Sequence, residues 1–171
     1  MESPILTNSS IVIIGGTTGL GLSAAKSLIQ SGANVVVVGR KPESAEKALA
    51  ELRALAPGQA DAYTGDAIDS DTAPHAIELC LGKFGTFDGI YHVAGGSGRA
   101  FGDGPLHEVT DEGISRTLDL NLKSLILSNR AAVQSFLERK VPGSILNMGS
   151  VLGYSPSPRY FSTHIYAAAK S

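Results

Sequence analysis

Short continuous apolar runs alternate along this chain with longer stretches whose apolar residues recur every three or four positions, a rhythm that predicts strands and helices in turn. The first run, Ser10 to Gly15 (SIVIIG), is rich in β-branched residues and closed by glycine, which predicts a buried strand. Gly19 to Ser31 predicts a helix with Leu22, Ala25, Leu28 and Ile29 on one face, and Gly32 stands where a left-handed C-terminal residue belongs. Asn34 to Gly39 (NVVVVG) is too short for a buried helix and too β-branched for a loop, so it predicts a central strand. Pro42 to Ala56 predicts a helix with proline near its start, then a Pro-Gly turn at 57 and 58 and a weaker strand from Ala60 to Gly65. A helix over Ser70 to Phe84, a strand over Gly89 to Ala94 and a glycine-rich loop from Gly95 to Pro105 follow. Thr110 to Arg139 carries one long helical pattern, with Thr110 and Gly113 flanking an acidic first turn that suits the helix dipole. Ser144 to Met148 predicts a fifth strand, and Thr163 to Ser171 opens a helix that the chain end cuts short. Strand and helix in alternation predict an α/β fold, a doubly wound, Rossmann-like parallel sheet with helices on both faces. No repeat, low-complexity tract or charge block marks a linker, so residues 1–171 read as one domain. The apolar face carrying Leu118, Leu122, Leu125 and Ile126 is expected to cover the sheet, a partner molecule being its other use.

Charge and composition narrow the function. A formal charge of −2 leaves no basic field to hold a phosphate backbone, which argues against nucleic acid. Cys80, the only cysteine, excludes an intramolecular disulfide and fits a reducing compartment. The N-terminus, MESPILTNSS, lacks a basic segment leading into an apolar one, and no apolar run approaches the ~18 residues that span a bilayer. Cytoplasm and no membrane are the expectation. The histidines at 75, 92, 107 and 164 are too scattered to gather a metal.

Between the first strand and first helix stands Gly15-Gly16-Thr17-Thr18-Gly19-Leu20-Gly21. Glycines there let the chain turn sharply and bring its backbone against a pyrophosphate, while free N–H groups at the helix start attract the anion. The end of the second strand faces the adenosine ribose in such a fold, and a carboxylate there would accept its 2′-hydroxyl. This chain has Gly39 followed by Arg40 and Lys41, whose charges attract a 2′-phosphate, so NADP is expected before NAD. Near the other end, Tyr166-Ala-Ala-Ala-Lys170 sets a phenol and an ammonium on one helical face, where the ammonium favours the phenolate and makes a usable acid/base. Ser150 follows the fifth strand, at the end that points into the ligand crevice.

The Gly-x-x-x-Gly-x-Gly turn, the Asn147-to-Gly153 segment and the Tyr166/Lys170 pair together resemble the short-chain dehydrogenase/reductase family, over essentially the whole chain. The resemblance implies hydride transfer between a nicotinamide and a small carbonyl or alcohol substrate. It implies Tyr166 as the proton donor and acceptor, Lys170 tuning it and gripping the nicotinamide ribose, and Ser150 orienting the reacting oxygen. Asn121, in Asp119-Leu120-Asn121, would hold a water that relays protons through Lys170. Asp66 with Ala67 would lie near the adenine, and Ala94-Gly95 would let the backbone approach the cofactor. Three departures stand out: Ile14 where the family usually has threonine, His92-Val93 where it has Asn-Asn, and a long Ser150-to-Tyr166 interval containing Pro156 and Pro158. The last is expected to form an excursion at the mouth of the site. Family members pair through the corresponding long helices, making a homo-oligomer one expectation. They also continue past this last helix, so the chain reads as C-terminally incomplete: a piece of an active enzyme, a nucleotide-binding module without turnover, or a chain completed by a partner.

Overall fold

Both faces of the central strands are apolar because helices cover both. The computed structural model describes residues 5–171; the first four residues of the N-terminal stretch read above lie outside it. Five parallel strands form one sheet: β1 (Ser10–Ile14), β2 (Asn34–Gly39), β3 (Ala60–Thr64), β4 (Gly89–His92) and β5 (Ser144–Asn147), in the order β3-β2-β1-β4-β5. The helices are α1 (Gly19–Gln30), α2 (Pro42–Leu55), α3 (Thr72–Phe84), α4 (Asp111–Leu118), α5 (Ser124–Arg139) and α6 (His164–Ala169). Successive side chains of a strand point to opposite faces. Ile13, Val35 and Val37 therefore pack with Ala25 and Ile29 of α1 and Ala48 and Leu52 of α2. Val12, Ile14, Val36 and Val38 pack on the other face with Ala76, Ile77 and Cys80 of α3 and Ala131, Ala132 and Phe136 of α5. Phe87 stacks on Phe136 there, with ring centroids 4.9 Å apart.

The chain runs outward from β1 to β3, then returns to the other side of β1 as β4. That reversal opens a crevice at the carboxyl ends of β1 and β4, the place where doubly wound sheets bind ligands. The glycine turn after β1 and the Val93-Ala94-Gly95 segment after β4 are its two lips.

Most element boundaries agree with the sequence reading to within two residues. Gly32 takes the expected left-handed conformation at φ 91°. Two expectations are corrected. First, the long helical pattern is not one helix. Residues Asp119–Lys123 form a π turn in which the Ser124 N–H reaches back five residues to the Asp119 carbonyl. Asn121 Nδ2 donates to Thr117 O and Ser124 Oγ to Leu120 O, so side chains compete for carbonyls that the backbone would otherwise use. Second, the face carrying Leu118, Leu122, Leu125 and Ile126 does not cover the sheet. The small residues Ser124, Ser128, Ala131 and Ala132 do, and they bring α5 close, leaving Leu122 and Ile126 exposed. The glycine-rich loop carries a 3-10 turn at Gly98–Phe101. β5 hydrogen-bonds only β4 among the described strands, and all four of its residues are exposed. No helix among the described residues is long and apolar enough to cross a membrane.

Candidate active site

The glycine turn is as tight as its composition demands. Gly15 sits at φ +88°, and a Cβ built on it would lie 2.6 Å from Ala94 N, so the two lips of the crevice touch here. A Cβ on Gly21 would run into the Gly15 carbonyl, which makes Gly21 the residue that lets α1 pack against the turn. Gly39 is equally constrained, because the side chain of buried Thr17 fills the space a Cβ would need. The result is a cleft of about 380 Å³, within the range of small-ligand sites.

Gly15, Thr17, Thr18, Gly19 and Leu20 line one side of the cleft, Arg40, Asp66 and Ala67 its outer end, and Ala94 and Gly95 the other side. Leu20 is exposed at the helix start, where first-turn N–H groups lack intrahelical partners. Two expected cofactor residues lie off this lining: Gly21, which packs inside α1, and Lys41, which is exposed at the N-cap of α2. Arg40 Nη1 stands 3.8 Å from Asp66 Oδ2, a loose and largely exposed ion pair. Val38, Gly65, Val93 and Leu120 also line the cleft without having been singled out in the sequence. Val38 and Val93 signal themselves only as strand-end residues, and Leu120 carries no signal beyond its neighbour Asn121.

A second cavity of about 350 Å³ opens beyond Gly96. Ser150 and Tyr166 both line it, with Arg99, Leu152 and Phe161 around them. Ser150 caps the short turn after β5, its Oγ accepting from Leu152 N at 3.2 Å. Tyr166 is half-buried in α6.

Lys170 lines neither cavity; it lies under the ridge between them. Its Nζ donates to Met148 O at 3.0 Å, and burial pulls the pKa of the ammonium below the ordinary lysine value. A Cβ built on Gly95 would lie 2.7 Å from Asn121 Oδ1 and 3.1 Å from Lys170 Nζ, so these two polar groups converge over that glycine. The Asn121 amide is fully buried: Nδ2 donates to Gly96 O and Thr117 O, and Oδ1 accepts from Gly96 N. Its donors are spent, and Oδ1 alone faces Lys170. Tyr166 from α6 and Lys170 at its C-cap, Ser150 from the turn after β5 and Asn121 from the π turn are thus gathered from three separate segments.

Two polar residues that sequence reasoning gave no role sit close by. His92 is fully buried, with Nδ1 2.8 Å from Ser128 Oγ and Nε2 3.3 Å from Ser124 Oγ. Burial, and then the charge on Lys170, push its pKa down to about 4, so the ring is neutral at physiological pH. Asp103, in the loop after β4, is 3% exposed and accepts from the N–H groups of Ile165 and Tyr166. No motif surrounds it, and its partners lie some sixty residues away. Among the described residues, no group of three or more His, Cys, Asp or Glu side chains forms a metal site.

Known proteins share the sequence and fold of this chain. The family model described as short chain dehydrogenase matches residues 9–171. The chain is 30% identical over 155 residues to dehydrogenase/reductase SDR family member 4 of Pongo abelii, covering 91% of this chain and 54% of that protein. It is 28% identical to 2,5-dichloro-2,5-cyclohexadiene-1,4-diol dehydrogenase of Sphingobium indicum, covering 91% and 59%. Among solved structures, a short-chain type dehydrogenase/reductase from Mycobacterium ulcerans superposes with a TM-score of 0.87 at 27% identity, covering 96% of this chain and 58% of that one. A short chain dehydrogenase from Mycobacterium smegmatis superposes at 0.88 and 27%, covering 98% and 67%. The chain therefore spans little more than half the length of the curated relatives it matches.

Proposed function

Since this chain belongs to the short-chain dehydrogenase family, we propose that it takes part in hydride transfer between the nicotinamide of NADP and a small carbonyl or alcohol. The observation that carries this reading is that Ser150 and Tyr166 meet across one cavity, with Lys170 buried between it and the glycine-lined cleft. A bound nicotinamide dinucleotide supplies or accepts the hydride. The backbone of Gly15 to Leu20 would hold its pyrophosphate, and Asp66 and Ala67 its adenine end. Tyr166 gives its phenolic proton to the carbonyl oxygen in reduction and takes it back in oxidation. Lys170, whose Nζ converges with Asn121 Oδ1 over Gly95, would grip the nicotinamide ribose. Ser150 donates a hydrogen bond to the same substrate oxygen. Asn121 Oδ1 faces Lys170 and would steady a water that returns the proton.

For NADP over NAD, support comes from Gly39. An aspartate there cannot fit against Thr17, so the carboxylate that would accept a ribose 2′-hydroxyl and repel a 2′-phosphate is sterically barred. Arg40 lines the same end of the cleft with its guanidinium largely exposed, and Lys41 adds charge beside it. A cytoplasmic setting suits the single buried thiol, and a second copy of the chain is the partner we assign to the exposed face of α5.

The test is NADPH oxidation over a panel of ketones and aldehydes, with fluorescence titration of NADPH alongside. Turnover that Tyr166→Phe abolishes supports the reading, and full activity in that variant refutes it. A second reading is a module that binds the dinucleotide without turning it over. Tight NADPH binding with no turnover on any carbonyl selects it, and no binding defeats both.

A further inference from the structure

Helix α6, which carries Tyr166, is only six residues long, and so short a helix is not stable alone because nucleation costs more than one turn returns. Its own N-cap, Thr163, makes no side-chain capping hydrogen bond. The first-turn N–H groups are satisfied from elsewhere: Asp103 Oδ1 accepts from Ile165 N at 3.1 Å and Oδ2 from Tyr166 N at 2.9 Å. A carboxylate in that position combines a charge-assisted hydrogen bond with a favourable meeting of the helix dipole. Asp103 is itself 3% exposed, and a buried carboxylate is tolerated only when paired in this way.

The seat beneath Asp103 is tied down by hydrogen bonds. Its N–H donates to Gly98 O at 3.1 Å, closing the 3-10 turn, and Gly102 before it takes the left-handed φ of +99°. Thr110, the N-cap of α4, donates from Oγ1 to Phe101 O at 3.0 Å and from its N–H to Gly102 O at 3.2 Å. The missing side chain of Gly113 lets the start of α4 abut this loop, since a Cβ there would lie 2.8 Å from Asp103 N. The same loop grips the approach to α6 twice more. Gly104 O lies 2.9 Å from His164 Nδ1, and Arg99 Nη2 donates to Tyr160 O at 3.4 Å.

From this arrangement we propose that Asp103 is the positioning residue of the site: acting in trans as the N-cap of α6, it fixes where the Tyr166 phenol stands relative to Ser150 and the cleft. Asp103 acts through Tyr166 and touches no reacting atom. The inference rests on the reading of Tyr166 as acid/base, so its test has a readout that does not need turnover.

Tyrosines are labelled with carbon-13 at Cζ in the full chain, and the Tyr166 signal is assigned by its loss in Tyr166→Phe. With NADPH saturating, Asp103→Ala is expected to shift or split that signal while the other tyrosines keep theirs. NADPH affinity stays within about twofold, because the cleft is lined by other segments, whereas kcat falls on the order of 100-fold, the cost of misplacing a reacting group by about 1 Å. Asp103→Asn, which keeps one acceptor oxygen and the fold, lies between the two. A Tyr166 signal in Asp103→Ala that coincides with the wild type overturns the proposal, as does a kcat unchanged in both variants. Full turnover in Tyr166→Phe sinks the acid/base reading instead, a different result seen in a different variant.

Discussion

His92 shows how one buried residue sets a pH limit. The hydroxyls of Ser124 and Ser128 are spent on carbonyls of the preceding turn, at 2.6 Å and 2.8 Å, so the ring must supply the proton for its 2.8 Å contact with Ser128. One ring N–H suffices there, and the Lys170 ammonium makes a second proton unwelcome. As pH falls below the ordinary histidine value of 6.5, the unfolded chain takes up a proton that the folded chain refuses until about pH 4. Folding stability is therefore full above that window and declines as pH drops through it, by on the order of 3 kcal/mol in all. Urea unfolding at neutral pH and again near about pH 5 should show the decline in the wild type, and His92→Asn should flatten it. Cys80 offers an independent check on the core. Burial pushes its thiol up to about 12 and its Sγ donates to Thr86 O, so thiol reagents should label it at the rate of unfolding and not before. The sequence announced Tyr166, Lys170 and Ser150 through spacing and strand position. His92 looked only like a departure from a pattern, because its serine partners lie more than thirty residues away and chain order does not reveal that closeness.

At the scale of elements, periodicity placed every strand and most helices, since burial on both sheet faces leaves continuous apolar runs. The π turn escaped it, because Asp119 to Lys123 keeps a helical pattern of side chains while shifting the backbone bonds by one residue. What the turn achieves is the burial of Asn121 against Gly96, the residue that separates the two cavities. Asn121→Leu removes both hydrogen bonds to the half-buried Gly96 backbone, at about 1 kcal/mol each. We expect both a lower urea midpoint and weaker NADPH binding, measured on the same preparation. Thr110 is a simpler case. Its Oγ1 accepts from Gly113 N at 2.9 Å and caps α4. Thr110→Ala should cost about 1 kcal/mol, and more should be lost in kcat than in stability if the loop it anchors carries Asp103.

Across the whole molecule, the glycine-lined cleft and the cavity lined by Ser150 and Tyr166 occupy one end of the sheet, while apolar surface is exposed on its flank. Leu122 of the π turn and Ile126, Val133 and Leu137 of α5 project with exposures of 40% to 71%, and Leu118, Leu122, Ile126 and Leu127 line a shallow groove of about 180 Å³. Side-chain size explains why the sequence reading turned this helix the wrong way. Periodicity finds an apolar stripe, but α5 approaches the sheet on the opposite stripe, where serine and alanine permit close contact and where Ser124 and Ser128 meet His92. We propose that this exposed apolar face pairs with a second copy of the chain, and the Asp119–Lys123 ion pair at 3.5 Å beside the groove gives it a polar rim. Sedimentation should therefore show concentration-dependent association of the chain. The paired substitution Leu122→Glu and Ile126→Glu should return it to a monomer with NADPH affinity unchanged, because these side chains point away from the cleft. An unsubstituted chain that stays monomeric at every concentration defeats the expectation, and a double variant that associates as strongly as its parent moves the contact to the β5 edge, where Ile145 and Leu146 lie open.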